Sequence, residues 1–354
     1  MKVNYKWIRS LLNGVLAVIL AFVISGIVIF LVGYNPVQAF VELFAGSVGG
    51  TAAFGESLVK TVPLIFTGLS FAVAIRAGLV NLGASGQLYA GALMGTVVGV
   101  YLQGIPSFLH IFLALAAGAV SGALYGGLVS LLKSRFHANE IITTIMLNEI
   151  AVQFVNCMVD GPLKDMDAIS KYPQSRTVAA SAVLPRLSAT GRLHIGFIIA
   201  LLAIVFYAFF MNKTKAGYEI KVTGASRSVA ECVGIQVKKV QLTAMLLAGA
   251  FAGLAGSIEI LAIQKRLLQS FAGNIGFDGI AVALLGENNP VGILISSVLF
   301  GVMSNGSNKM QMLSQVPSAV IYLMQGFIIL FVVGRRMYEK LFRCKKISKN
   351  SITD

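Results

Sequence analysis

Residues 11–33, LLNGVLAVILAFVISGIVIFLVG, run for 23 positions without one charged side chain. A helix rises 1.5 Å per residue, so about 20 such residues cross the roughly 30 Å of bilayer hydrocarbon. Several comparable runs follow. Within hydrocarbon every backbone polar group must be satisfied internally, which leaves helices for runs of this length. Composition agrees: 56% of residues are apolar and 12% charged, about half the charged share of a soluble domain. The class is an all-α polytopic membrane protein, read as a single transmembrane domain over residues 1–354. The first run has basic flanks like a signal peptide. It is too long for one and lacks a small-x-small cleavage site, so it is expected to be an uncleaved span.

Three features narrow the chemistry. Cys157, Cys232 and Cys344 show no paired spacing, so neither a disulfide framework nor a metal knuckle is expected. His110, His137 and His194 lie far apart near span ends, where capping or interface roles are expected rather than ligation. The net charge of +14 reads as cytoplasmic loops, not as a nucleic-acid surface.

Ten spans are expected, at about 10–33, 58–75, 86–104, 107–132, 140–159, 195–212, 241–263, 276–287, 290–307 and 317–333. An even number places both termini on one side. With the N-terminus inside, the inner segments carry 19 Lys and Arg against 8 outside, which puts the termini in the cytoplasm. Segment 160–194 is then an extracytoplasmic loop, 213–240 a cytoplasmic loop and 334–354 a basic cytoplasmic tail. The eighth span, GFDGIAVALLGENN, covers only about 18 Å of helix and is expected to be short or broken. Asn289 and Pro290 read as the cap and first turn of the ninth.

Glycines recur at four-residue steps: Gly91, Gly95 and Gly99; Gly118, Gly122 and Gly126; Gly249 and Gly253. Such stripes let helix backbones approach closely. Ordinary tight packing and a sliding interface both fit them.

Ionisable groups at membrane depth usually face protein or water; here they are Lys60, Glu149, Glu259 and Asp278. In the fifth span Glu149, Gln153 and Asn156 fall within about 60° of one another on the outer half. Glu140, Thr143, Thr144 and Asn148 occupy a roughly opposite face on the inner half. A water-filled path and plain interhelical bonding are both open. Asn81, Ser85 and Gln87 lie among four glycines between the second and third spans, and Asn305 near the end of the ninth. No nucleophile–base pair, metal-ligand set or GxxxxGK[ST] phosphate loop occurs. This chain is therefore not expected to be an enzyme.

The segment VTGASRSVAECVGIQVKK, 222–239, is a polar interruption. Ser226 can cap a short helix, or Ser228 and Glu231 can form a capping box. Ala225, Val229 and Val233 step by four along one face, and Gly234 stops the helix. With no Trp or Phe it makes a poor lipid anchor and a reasonable knob for a protein groove.

Four stretches carry a family likeness: GLVNLGASGQLYAGALMG (78–95), ANEIITTIMLN (138–148), GASRSVAECVGI (224–235) and GFDGIAVALLGENNPVG (276–292). The chain resembles the permease subunits of ABC importers for simple sugars and nucleosides, in the branched-chain amino acid and ribose permease group, over about residues 58–333. The last motif favours the nucleoside branch. Ser85 stands where such permeases commonly carry glutamate, and Ser226 and Val229 replace Asn and Ala of the coupling loop.

The resemblance implies two pseudo-symmetric halves in a bacterial plasma membrane protein. It implies a second homologous permease, an ATP-binding subunit with two nucleotide-binding domains that holds ATP and Mg, and an extracytoplasmic binding lipoprotein or periplasmic protein. This chain itself is expected to hold no cofactor or metal. The expected substrate pathway is Asn81, Gln87, Asn148, Glu149, Gln153, Asp278 and Asn305; its five amides, Asn81, Gln87, Asn148, Gln153 and Asn305, suit a neutral nucleoside. The expected ATPase-coupling set is Gly224, Ala225, Ser226, Val229, Ala230, Val233 and Gly234. A sugar such as ribose or galactose is the alternative substrate. An ion-coupled secondary transporter titrating Glu149, Glu259 or Asp278 is the alternative class.

Overall fold

The computed structural model describes residues 5–166, 172–187, 191–317 and 319–332. The basic tail expected at 334–354 lies outside them. The helices are α1 Tyr5–Leu31, α2 Pro36–Val48, α3 Thr51–Arg76, α4 Ala84–Tyr101, α5 Ser107–Phe136, α6 Glu140–Asp160, α7 Gly196–Lys213, α8 Lys215–Ala225, α9 Arg227–Cys232, α10 Val237–Ile258, α11 Ile275–Leu285 and α12 Pro290–Ser314, followed by α13 Ala319–Val332. The last turns of α10 widen into a π-helix over Glu259–Gln264. Among the described residues six helices are long and apolar enough to cross a membrane: α3, α5, α6, α7, α10 with its π-helical end, and α12. Shorter apolar stretches are Leu16–Leu31 of α1, and α2, α11 and α13. This is a polytopic α-helical membrane protein.

The described residues form two compact units, one from residue 50 to 302, the other from those up to Gly49 with those from Met303 onward. In the smaller unit Phe22 packs between Phe40 and Phe44, with ring centroids 5.5 and 6.0 Å away. There α2 meets the second half of α12: Gly306 lies against the Leu43 backbone, and Lys309 approaches Glu42 at 3.7 Å. Helix α2 was not expected. Its signal is the same pair that marks the ninth span, since Asn35 Oδ1 accepts from the amides of Val37 (3.0 Å) and Gln38 (3.3 Å) with Pro36 in the first turn.

The core of the larger unit is a glycine junction of α4, α5 and α10. Gly91 faces the backbone of Gly253, Gly122 faces Gly249 and Gly253, and Gly118 faces Ser257 and Gly253. Ser257 closes the junction by donating to the Gly91 carbonyl at 3.0 Å. All three stripes read from sequence thus meet one another. Helix α11 has 11 residues, about 16 Å of helix, so it is the short segment expected there. It wedges between neighbours, with Gly276 against Ser85 of α4 and Gly279 against Thr67 of α3.

Described residues of 160–194 bond to the end of α4 and to the π-helix and the residue after it: the Ala179 amide donates to the Gly99 carbonyl (2.8 Å), Val178 to Lys265 (2.9 Å) and Leu184 to Leu261 (3.1 Å). Arg192 forks onto Glu56. The described parts of the loop are therefore tied down by backbone bonds. His110 joins it, with Nδ1 2.8 Å from Ser181 Oγ and Nε2 3.1 Å from the Val98 carbonyl. His194 Nδ1 accepts from the Gly196 amide at 3.1 Å, at the start of α7. His137 ends α5 in the left-handed conformation, φ 55°. All three histidines cap or bridge, as expected.

Candidate functional site

Chain reversal between α3 and α4 is built on a closed amide cluster. Asn81 Nδ2 donates to Gln87 Oε1 (3.1 Å) and Gln87 Nε2 donates back to Asn81 Oδ1 (3.2 Å). Ser70 adds contacts to both, and the Gly83 amide donates to Asn81 Oδ1 at 3.0 Å. Asn81 and Gln87 are fully buried. Amides that satisfy one another in a low-dielectric core hold a backbone turn firmly. The structure thus gives these two residues a clamping job, and in this conformation neither lines an open path.

Asn148 extends the clamp to α6. Its Oδ1 accepts from the Gly86 amide at 2.7 Å and its Nδ2 donates to the Leu82 carbonyl at 2.8 Å. Gly86 admits this contact because a side chain there would run into Asn148 and Tyr125. Ser85, the departure from the family glutamate, is buried beside it against α11.

The next residue turns the other way. Glu149 and Gln153 are both exposed on α6, beside Ile142, Ile145 and Ile150, which are exposed too. Glu149 lies midway along the helix, about 14 Å from its start, and has no ion pair or hydrogen bond among the described residues. Asn156 is half-buried and accepts from the Ser270 amide at 3.1 Å. So α6 does carry polar groups on two faces. Its inner-half face, through Thr144 and Asn148, is buried, while its outer-half face is presented outward.

Asp278 is half-buried in the first turn of α11, where a carboxylate complements the helix dipole. Asn305 belongs to the smaller unit and donates to the Gly46 carbonyl at 3.3 Å. Among the described residues no three His, Cys, Asp or Glu side chains converge to hold a metal.

The 213–240 segment holds two helices where one was expected. Thr214 caps α8, its Oγ1 accepting from the Gly217 amide at 3.1 Å. Ser226 caps α9, accepting from the Val229 amide at 3.4 Å. Glu231 is engaged by Arg227 at 2.9 Å rather than in a box with Ser228. Gly234, at φ +82°, ends the helix. Of the coupling set, Val229 (53% exposed) and Val233 (68%) project outward with Ala225. Ala230 is fully buried and faces the body instead.

Gly224, in the last turn of α8, sits on the backbone of Arg76–Gly78. Arg76 was counted from sequence only as a topology charge. It is the one basic residue closing an otherwise uncharged stretch of α3 from residue 61, and that isolation was the available signal. Desolvation, with the Arg76 charge second, holds the Lys221 amine below its ordinary pKa.

Comparison with known proteins fits this arrangement. The family model described as branched-chain amino acid transport system / permease component matches residues 53–333. The guanosine ABC transporter permease protein NupP of Bacillus subtilis (strain 168) is 36% identical over 331 residues, covering 93% of this chain and 94% of the relative. The nucleoside ABC transporter permease protein NupB of Lactococcus lactis subsp. cremoris (strain MG1363) is 34% identical over 350 residues, 97% and 96% of the two chains. The glucose ABC transporter permease protein TsgB13 of Haloferax volcanii is 32% identical over 336 residues, 92% and 88%. No solved structure matches the chain. With its four motifs and four-fifths of its length inside one family model, this chain belongs to the branched-chain amino acid transport system / permease component family.

Proposed function

We propose that this chain is the membrane permease subunit of an ATP-driven importer for nucleosides, purine nucleosides such as guanosine or pyrimidine nucleosides. The observation that carries the reading is its likeness to a guanosine and a nucleoside permease over 93% and 97% of its length. The protein lies in a bacterial plasma membrane with both termini in the cytoplasm, in keeping with the 19-to-8 charge asymmetry.

ATP and Mg are held by a separate subunit with two nucleotide-binding domains. That subunit grips the exposed ridge of Ala225, Val229 and Val233, an apolar knob of i, i+4 spacing at the cytoplasmic surface. A second, homologous permease completes the membrane assembly. A binding protein delivers the substrate to the tied-down 160–194 loop. Closure of the nucleotide-binding domains pushes on α8 and α9, and the helices switch between outward- and inward-open states.

Glu149 and Gln153 belong to the substrate path. A carboxylate midway through the bilayer is expensive against lipid, so this outward face of α6 is covered by water, substrate or the second permease. Asn81, Gln87 and Asn148 set its frame from behind.

Co-purification with an ATPase subunit, together with loss of uptake on ATP depletion at constant proton gradient, tests the class. Uptake that follows the proton or sodium gradient and ignores ATP would favour the secondary transporter. A second substrate reading, a simple sugar, is favoured by the 32% identity to a glucose permease.

A further inference from the structure

Four separate elements meet at Arg76, the last residue of α3. Its carbonyl lies beneath Gly224, where any side-chain carbon would collide with it. Its guanidinium reaches the α11–α12 turn, Nη2 donating to the Asn288 carbonyl at 2.8 Å. The Tyr207 hydroxyl of α7 donates to that same carbonyl at 3.0 Å. The α8–α9 segment and the α11–α12 hairpin are thus held to one residue, through its backbone on one side and its side chain on the other.

The turn they hold is strained. Glu287 and Asn288 both adopt the left-handed conformation, φ 51° and 56°, a region that non-glycine residues occupy at a cost of order 1 kcal/mol each. Such backbone persists where surrounding bonds over-determine it, and Arg76 with Tyr207 supplies two of those bonds. Gly286 and Gly292 close the hairpin, backbone on backbone.

The same junction carries unspent hydrogen-bonding capacity. Arg76 Nε, Asn288 Oδ1 and Thr223 Oγ1 are buried without a partner. Native proteins seldom leave such groups unpaired, so each asks for an explanation. The three are complementary in kind: a donor, an acceptor and a hydroxyl that is both. Thr223 precedes Gly224, which rests on the Arg76 backbone, so movement of α8 is felt at the end of α3 where Arg76 grips Asn288.

We infer that Arg76 is the positioning residue that passes movement of the 215–234 segment to the α11–α12 hairpin, the Asn288 carbonyl being the point it grips. This rests on the importer reading above, because the push comes from an ATPase subunit. Tyr207 acts with it on the same oxygen.

The experiment measures ATP hydrolysed per nucleoside transported by the complete transporter in proteoliposomes, for wild type, Arg76→Gln, Arg76→Lys and Tyr207→Phe. Arg76→Gln is expected to assemble and hydrolyse ATP while transporting at least tenfold less per ATP. Arg76→Lys, which keeps the charge and one donor, recovers part of that loss, and Tyr207→Phe shows a two- to threefold loss. Transport and hydrolysis falling together, in proportion to assembled complex, would make Arg76 purely structural and overturn the inference. Should Arg76→Gln fail to assemble, Tyr207→Phe decides: an unchanged ratio there overturns it. A wild-type complex whose uptake ignores ATP would instead bring down the importer reading itself.

Discussion

Gly224 rests directly on the backbone of Arg76. A side-chain carbon at Gly224 would stand 2.8 Å from the Arg76 carbonyl carbon and 3.0 Å from the Gly78 nitrogen. Neither neighbour is the end of a flexible side chain that could move aside. Gly224→Val therefore has to lift the α8–α9 junction off α3. At least a tenfold loss of uptake per assembled complex is expected, measured in proteoliposomes against complex quantified by the bound ATPase subunit. Gly55→Ala makes the control: a side-chain carbon there meets no atom within 4 Å, so uptake should stay near wild type.

Neighbouring residues on α6 should part company under mutation. Asn148→Ala leaves the Gly86 amide and the Leu82 carbonyl without their partner. Each unpaired buried group costs about 1–3 kcal/mol, so thermal stability in detergent should drop clearly. Glu149→Gln should leave stability near wild type while altering nucleoside uptake kinetics. Unchanged kinetics would remove Glu149 from the path.

The glycine junction should be intolerant of volume. Gly253 faces the backbones of Gly118, Gly122 and Gly91. Gly253→Val overpacks a contact between three helices, at a cost of about 1–3 kcal/mol or more. Loss of folded protein on size-exclusion chromatography is the expected readout. A glycine facing lipid, by contrast, would accept valine.

How much of this was legible in the sequence follows from which interactions are local. Asn289–Pro290 names a helix start, and Asn35–Pro36 carries the same mark for α2. Ser226 and Gly234 bounded α9 correctly, since caps are read within a turn. Glycine periodicity announced close helix contacts, and the structure supplies which helices meet. The clamp of Asn81, Gln87 and Asn148 was not legible as such. A buried amide and a path-lining amide have the same composition, and only burial tells them apart. Arg76 was hidden for a related reason: its partners, Asn288 and Gly224, lie 212 and 148 positions away.

Acid should loosen the loop end of the larger unit. Burial pushes the pKa of His194 down to about 4, and its Nδ1 must stay unprotonated to accept from the Gly196 amide. Between the ordinary value near 6.5 and about 4, the unfolded chain binds a proton that the folded one refuses. Stability is therefore fully present above the ordinary value and is lost as pH falls through this window, by a few kcal/mol at most. Thermal melts from pH 7 to pH 4 should show that decline, and His194→Gln should flatten it. A wild-type slope that survives the substitution would assign it to other groups.

Val229→Glu and Val233→Glu address the ATPase contact. Each places a charge on an exposed apolar ridge without touching the buried Ala230 side. Permease should still fold and insert, while the ATPase subunit is released or its hydrolysis no longer drives uptake. Normal transport by either variant would remove the ridge from the docking surface.

Competition for uptake tests the central claim most directly. The complete transporter, reconstituted in proteoliposomes with ATP, is given labelled guanosine against unlabelled guanosine, uridine or ribose. Uptake is expected to require ATP, and the nucleosides to compete at concentrations where ribose does not. Ribose competing as well as guanosine, or guanosine uptake that persists without ATP, would contradict the account.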